Sequence, residues 1–236
     1  MIAYMKKPSS IVRYFLIEYA NYVKWIPDIT YVKLLYWGHF GKKLSLNNYE
    51  HMSFNEKLQW LKLYDRNKFY TQLVDKHEFK EFIRKDYGDD FIVPTIGVWD
   101  TFKEIDFSNF PNQFVLKCTH DSTSVLICRD KELFDLKMAE KRFNQDLSRN
   151  LFWAGREWPY KNVKPRIIAE KYLEESAGDV SGLTDYKFHC FNGVPKFLYI
   201  SKGLEDHSAA FMSFYDLKGD QLPFKRADYK DAPDKL

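Results

Sequence analysis

The chain has too few cysteines, too little charge of one sign and no apolar run long enough to fit several common classes of protein. Cys118, Cys128 and Cys190 are odd in number and widely spaced. They therefore make neither a disulfide framework nor a Cys-x-x-Cys metal pair, and a reducing cytoplasm is the compartment expected. No stretch approaches the roughly 18 apolar residues of a spanning helix, and no signal peptide opens the sequence. The 36 basic residues face 33 acidic ones, a net charge of +3. The two signs alternate along most of the chain, which argues against nucleic acid or another polyanion as partner.

Catalytic motifs are also missing. His39, His51, His77, His120, His189 and His207 are dispersed, without the His-x-x-x-His spacing of a zinc site, so no metal is assigned to them. No serine stands in a Gly-x-Ser-x-Gly elbow and no cysteine lies in a nucleophile motif, which disfavours covalent hydrolase chemistry. No Asp-x-Asp is present to hold a nucleotide sugar through a metal ion.

The remaining composition is ordinary globular material. In 236 residues, 45% are hydrophobic and 18% aromatic, enough for one or two compact cores. Residues 1–50 form a distinct region, rich in Tyr, Trp and Phe, with Lys6, Lys7, Arg13, Lys24, Lys33, Lys42 and Lys43 against Glu18, Asp28 and Glu50. Ile11, Phe15, Tyr19 and Tyr22 fall at helical spacing, and Pro27 and Gly38 punctuate the residues beyond Tyr22, so two helices are expected. Such a basic, aromatic stripe either packs on the rest of the protein or rests on a membrane surface, here the inner face.

Ser53-Phe54-Asn55-Glu56 matches a capping box, which starts a helix near Phe54. A second helical pattern runs from about Thr71 to Arg84, with Asp75-Lys76 in its first turns. From Phe91 to Trp99 the pattern becomes apolar and β-branched, followed by strands at Phe114–Cys118 and Val125–Cys128. The loop between these two is His120-Asp121-Ser122-Thr123-Ser124. Asp135–Asn150 reads as a helix and Arg166–Leu173 as a strand. Asp185–Phe191 and Val194–Ser201 are joined by Asn192-Gly193, a tight hairpin signal. A last strand is expected near Phe211–Tyr215, before a polar tail. The sum is an α+β protein with antiparallel hairpins.

Several residues in this frame carry chemistry. Lys117 ends an apolar strand, where a buried ammonium needs an anion: a nucleotide phosphate, or a nearby acid if it does not reach solvent. The His120–Ser124 loop offers N–H groups and hydroxyls to phosphates, although without a glycine it reads equally as a turn. Glu170, Lys171, Tyr172 and Leu173 stand where a strand leaves its sheet. There they either present a C=O and an N–H to an adenine edge or form an edge strand of alternating burial. Asp185 and Lys187 point to one face of the next strand, suited to ribose hydroxyls and a phosphate, or to an ion pair.

Taken in order, Ser53 to Lys62, Asp75-Lys76, Phe91 to Asp100, Phe114 to Lys117, Ile167 to Leu173 and Asp185 to Gly193 resemble the TupA-like ATP-grasp family over about residues 50–224. The resemblance implies an ATP-grasp fold: two antiparallel-sheet subdomains with helices, preceded by the helical region 1–50. The subdomains would span 51–162 and 163–224, with a polar tail at 225–236. It further implies binding of ATP and activation of a carboxylate as an acyl phosphate for attack by an amine, in teichuronic-acid or capsular polysaccharide synthesis. A sugar acid or polysaccharide precursor and an amine would be the partners.

Carried over by the same resemblance, Lys76 and Lys117 are phosphate-contacting lysines, and His120 to Ser124, through Ser122, are the flap over the triphosphate. Glu170, Lys171 and Leu173 belong to the adenine hinge, Asp185 is the ribose-side acid and Lys187 a further phosphate ligand. Two departures stand out. The flap lacks the family's glycines, and the strand pair bearing the Asp and Glu that bind magnesium does not appear before Leu236. Asp216, Asp220, Asp228, Asp231 and Asp234 are expected in a turn and the tail. A truncated or split ligase, a glycosyltransferase of the same pathway and a catalytically inactive nucleotide-binding protein all remain open on sequence.

Overall fold

The computed structural model describes residues 8–175, 182–203, 210–226 and 228–232. His207 and Asp234 lie outside them. The chain divides into two compact units, Met1–Tyr172 and Leu173–Leu236, each with its own antiparallel sheet. The mixed α+β architecture expected from sequence is therefore present. The division falls on the C-terminal side of the boundary expected at 162/163.

The first unit opens on two helices, α1 (Pro8–Glu18) and α2 (Asp28–Phe40). Leu16 and Val23 pack against Tyr31 and Leu35 to hold them together. The stripe Ile11, Phe15, Tyr19 and Tyr22 faces outward instead, because Leu16, Ala20 and Val23 occupy the inward side. Arg156, fully buried, ties this pair to the rest of the unit. Its Nε lies 2.9 Å from the Asp28 carboxylate and its guanidinium 4.0 Å from the Tyr31 ring centre. The Tyr31 hydroxyl donates to the carbonyls of Leu16 (2.8 Å) and Ala154 (3.1 Å).

The capping box forms as the sequence expects and opens α3 (Phe54–Tyr64). Ser53 N–H donates to Glu56 Oε2 at 2.9 Å, and the Ser53 hydroxyl accepts from Glu56 N–H. The helix expected from Thr71 to Arg84 is instead two: α4 (Phe69–Val74) and α5 (Lys76–Tyr87). Asp75 separates them. Its backbone is extended, and its carboxylate accepts from His77 N–H (2.9 Å) and Glu78 N–H (3.3 Å), so a new helix starts there. The strand expected from Phe91 is likewise shorter, because Asp89–Phe91 closes a 3₁₀ turn and pairing begins only past Pro94, as β1 (Thr95–Trp99).

The other strands of this sheet are β2 (Phe114–Cys118), β3 (Val125–Cys128) and β4 (Ile167–Lys171), in the order β1-β4-β2-β3. Two further helices, α6 (Leu136–Leu147) and α7 (Phe152–Gly155), lie between β3 and β4 in sequence. The strands alternate side chains between faces. Phe114, Leu116, Cys118, Ile167 and Ala169 enter an aromatic core with Phe102, Phe110 and Phe143 of α6. Lys117 and Glu170 belong to the opposite parity. The register sets Lys117 against Ile168 and Glu170 against Val115, which places these four side chains on the sheet's other face.

The second unit is a three-stranded meander of β5 (Asp185–Phe191), β6 (Val194–Lys202) and β7 (Phe211–Asp216). Asn192 and Gly193 both take positive φ, 51° and 78°, as the tight turn between β5 and β6 demands. Asp216, expected in a turn, ends β7 instead. Its carboxylate accepts from the N–H groups of Lys218 (2.8 Å) and Asp220 (2.9 Å), which closes the turn after the strand.

Candidate functional site

On the face of the first sheet that turns away from the aromatic core, three lysines and a glutamate meet where α5 approaches it. Glu170, in the middle of the sheet and 4% exposed, is ion-paired through one carboxylate oxygen to Lys80 and through the other to Lys117. Lys80 also donates to the Val93 carbonyl (2.8 Å) and the Thr95 hydroxyl (3.1 Å). Burial alone would push the Glu170 carboxyl up, but the Lys117 and Lys80 cations more than offset it and hold it below the usual carboxylate range.

Lys76 opens α5 one turn before Lys80. Its ammonium donates to the carbonyls of Cys118 (2.7 Å) and Asp121, and its backbone N–H to Thr119 O at 3.1 Å. Burial lowers its pKa; Asp121 works against that and the nearby Lys117 with it. Two of the cations share the Glu170 carboxylate, and the third, Lys76, is held by carbonyls with the Asp121 carboxylate near it, beside a loop of small polar residues. Arg166 completes the support of α5, bonding Asp75 Oδ2 (2.8 Å) and Glu78 Oε1 (2.7 Å).

The His120–Ser124 loop is anchored at both ends and open at its tip. His120 and Ser124 are buried, whereas Ser122 and Thr123 are exposed. His120 Nε2 lies 3.3 Å and 3.1 Å from the carbonyls of Asp146 and Arg149. Two acceptors there place a proton on Nε2, and the buried Nδ1 has no hydrogen-bond partner among the described residues. Asp121 bonds the Ser124 hydroxyl and accepts its N–H at 3.2 Å. The loop thus keeps its shape through side-chain bonds where a glycine-rich loop would rely on backbone freedom.

Of the hinge residues, Glu170 and Lys171 end β4. That strand lies between β1 and β2 and is continuously buried over Ile167–Glu170, so the edge-strand alternative with alternating burial does not hold. The Lys171 N–H is already given to Pro94 O at 3.0 Å. Leu173, 37% exposed, begins the second unit. On β5 in that unit, Asp185 and Lys187 form an ion pair with each other. Lys187 faces Tyr199 across the hairpin, its ammonium 5.4 Å from the ring centre, and burial lowers its pKa.

Sequence reasoning assigns Lys76, Lys117 and the loop to phosphates and Glu170 to an adenine hinge. The structure makes Glu170 the nearby acid left open on sequence as a partner of Lys117, and sequence reasoning missed Lys80, Arg166 and the capping role of Asp75. The signal for Lys80 was its spacing: four residues from Lys76, it lies on the same helix face. Cys118, between Lys117 and the loop, is no nucleophile. Burial pushes its thiol up to about 12, so it stays protonated near neutral pH.

Two antiparallel sheets with flanking helices, one of them carrying a lysine-rich face, define a protein of ATP-grasp architecture. The chain belongs to the TupA-like ATP-grasp family, whose model matches residues 56–236. It matches no curated protein and no solved structure. ATP-grasp proteins generally use ATP and magnesium. The lysine cluster suits the phosphates of ATP. Among the described residues no group of three or more His, Cys, Asp or Glu side chains comes together to hold a metal ion, so no step is assigned to magnesium on these residues.

Proposed function

We propose that this chain binds ATP and uses it to activate a carboxylate for amide formation, in the synthesis of a cell-surface polysaccharide. The observation that carries the reading is the Lys80–Glu170–Lys117 cluster on the coreless face of the first sheet, with Lys76 and the 120–124 loop at its edge.

In this reading Lys117 and Lys76 contact phosphates, Lys80 keeps Glu170 fixed so that Lys117 is aimed, and the exposed Ser122 covers the triphosphate with N–H and hydroxyl donors. His120 and Ser124 hold that loop in place. Glu170, Lys171 and Leu173 serve the adenine side, Asp185 the ribose hydroxyls and Lys187 a phosphate. Phosphoryl transfer depends mainly on positioning and on neutralising the charge of the transferred group, which is the work the lysines are suited to do. A carboxylate oxygen attacks the γ-phosphorus and ADP leaves. An amine then attacks the acyl carbon, inorganic phosphate leaves and the amine loses a proton.

Isothermal titration with ATP in the presence of magnesium tests the binding half. Lys117→Ala should weaken binding by about tenfold or more, equivalent to about 1.4 kcal/mol. No heat from the native chain, or none lost in the variant, would sink the reading. ADP and amide produced from a sugar acid and an amine test the other half, and ATP binding without that product would leave a nucleotide-binding protein.

A further inference from the structure

The helices α1 and α2 lie outside the matched region 56–236 and carry a surface that the nucleotide reading does not use. Their outward side is strongly apolar. Phe15 is 52% exposed and Tyr22 and Trp25 are each 79% exposed, with Ile11, Tyr14 and Tyr19 beside them on α1 and the turn after it. Phe15 and Tyr19 rings lie 4.9 Å apart and Tyr19 and Tyr22 rings 6.3 Å, so three of these side chains form a continuous aromatic ladder. Ile29, Leu34 and Phe40 of α2 are exposed as well. Single exposed apolar residues are ordinary, but a concentration of this kind marks an interaction surface.

Charge decides what the surface fits. Lys24, Lys33, Lys42 and Lys43 are exposed in the same region. Of the acids there, Asp28 is committed to Arg156 at 2.9 Å. The four exposed lysines outnumber the exposed acids of the region, Glu18 and Glu50. Amphipathic segments that lie in a bilayer interface combine apolar and aromatic rings with a lysine-rich rim. No helix of the described residues is long and apolar enough to cross a membrane, which fits a segment lying on the surface.

We propose that the outward face of α1 and the Tyr22–Trp25 turn dock on an anionic phospholipid surface. Lysines near such a surface are drawn to its anionic headgroups, and the rings supply the apolar part. Another flank of the same segment, Ile17, Glu18, Ala20 and Asn21, walls a cavity of about 470 Å³ whose far side includes Asp121 and Thr123.

Co-sedimentation of the full chain with vesicles tests this, using phosphatidylcholine alone and phosphatidylcholine with about 30% phosphatidylglycerol. Binding to the anionic vesicles, little to the neutral ones, and a blue shift of tryptophan emission are expected. The triple variant Phe15→Ser, Tyr22→Ser, Trp25→Ser should lose at least about tenfold in vesicle affinity while keeping its far-ultraviolet dichroism, because these side chains are exposed. Lys33→Glu should weaken binding to anionic vesicles alone. No sedimentation with anionic vesicles, or equal sedimentation of the triple variant, overturns the proposal. So does a dimer in solution that the triple variant abolishes without any vesicle binding, since the face would then belong to a second copy.

Discussion

Lys80 of α5 ion-pairs with Glu170 of β4, and this contact fixes the helix that begins at Lys76 over the lysine-bearing face of the first sheet. The carboxylate is shared with Lys117, so Glu170 is the hub of two ion pairs, each with a partner mostly removed from water. Replacing Glu170 by Gln leaves two ammonium groups facing a neutral amide. Breaking a buried pair from one side costs about 3–5 kcal/mol, and that range is expected for Glu170→Gln in urea unfolding. Lys80→Met leaves Glu170 still paired with Lys117 and should cost less, about 1–2 kcal/mol. The reverse order would remove Glu170 from the centre of the cluster.

The same pairing sets a pH dependence on the acid side. The Glu170 carboxyl sits below its ordinary value in the folded chain, so between that lowered value and about 4.3 the unfolded chain binds more protons. The stability Glu170 contributes is complete above about pH 4.3 and is lost as pH falls through the folded pKa. Urea midpoints taken from about pH 6 down to about pH 3 should fall more steeply for the native chain than for Glu170→Gln. Parallel curves would show that Glu170 titrates as it does in the unfolded chain.

Thiol reactivity separates the three cysteines. Cys118 and Cys128 are buried, and burial raises both thiols, whereas Cys190 on β5 is exposed. Since the thiolate is the reacting species, iodoacetamide near neutral pH should label Cys190 alone in the native chain and all three after unfolding. Intact-mass measurement with peptide mapping reads the outcome. Rapid native labelling of Cys118 would mean that the loop after β2 opens.

The site was partly legible in the sequence because its lysines sit at element ends. Lys117 is the one charged residue of an apolar strand, next to its end, and Lys76 opens a helix, and both positions carry local signals. The Ser53 capping box and the Asn192-Gly193 turn were legible for the same reason, since each depends on residues within four positions of one another. Lys80 and Arg166 were not. Their partners, Glu170 for one and Asp75 with Glu78 for the other, come from far along the chain, and only the approach of α5 to the sheet brings them together. The break at Asp75 was hidden by helical periodicity on both sides of it. The outward turn of the Phe15 stripe was hidden because α1 carries apolar residues on two sides, and periodicity alone does not rank them.

Arg156 holds the N-terminal helices to the unit that carries the lysine cluster. Its side chain is fully buried, and it meets Asp28 at the start of α2, the Tyr31 ring and the carbonyl of Trp153 at 2.7 Å. Leucine in its place would fill part of the volume but leave Asp28 without its cation and Tyr31 without the stacked guanidinium. A loss on the order of 3 kcal/mol is expected for Arg156→Leu. Besides this contact α2 is held by the packing of Val32 and Tyr36 with Leu63 of α3, and the loss should be local first: limited proteolysis should cut within residues 8–45 before it cuts the sheet. Lys117→Ala, in the same unit but away from this contact, should leave that region as resistant as in the native chain. If Arg156→Leu instead unfolds the whole first unit in one step, with no early cleavage before residue 45, the helices are part of its cooperative core and not an attached pair.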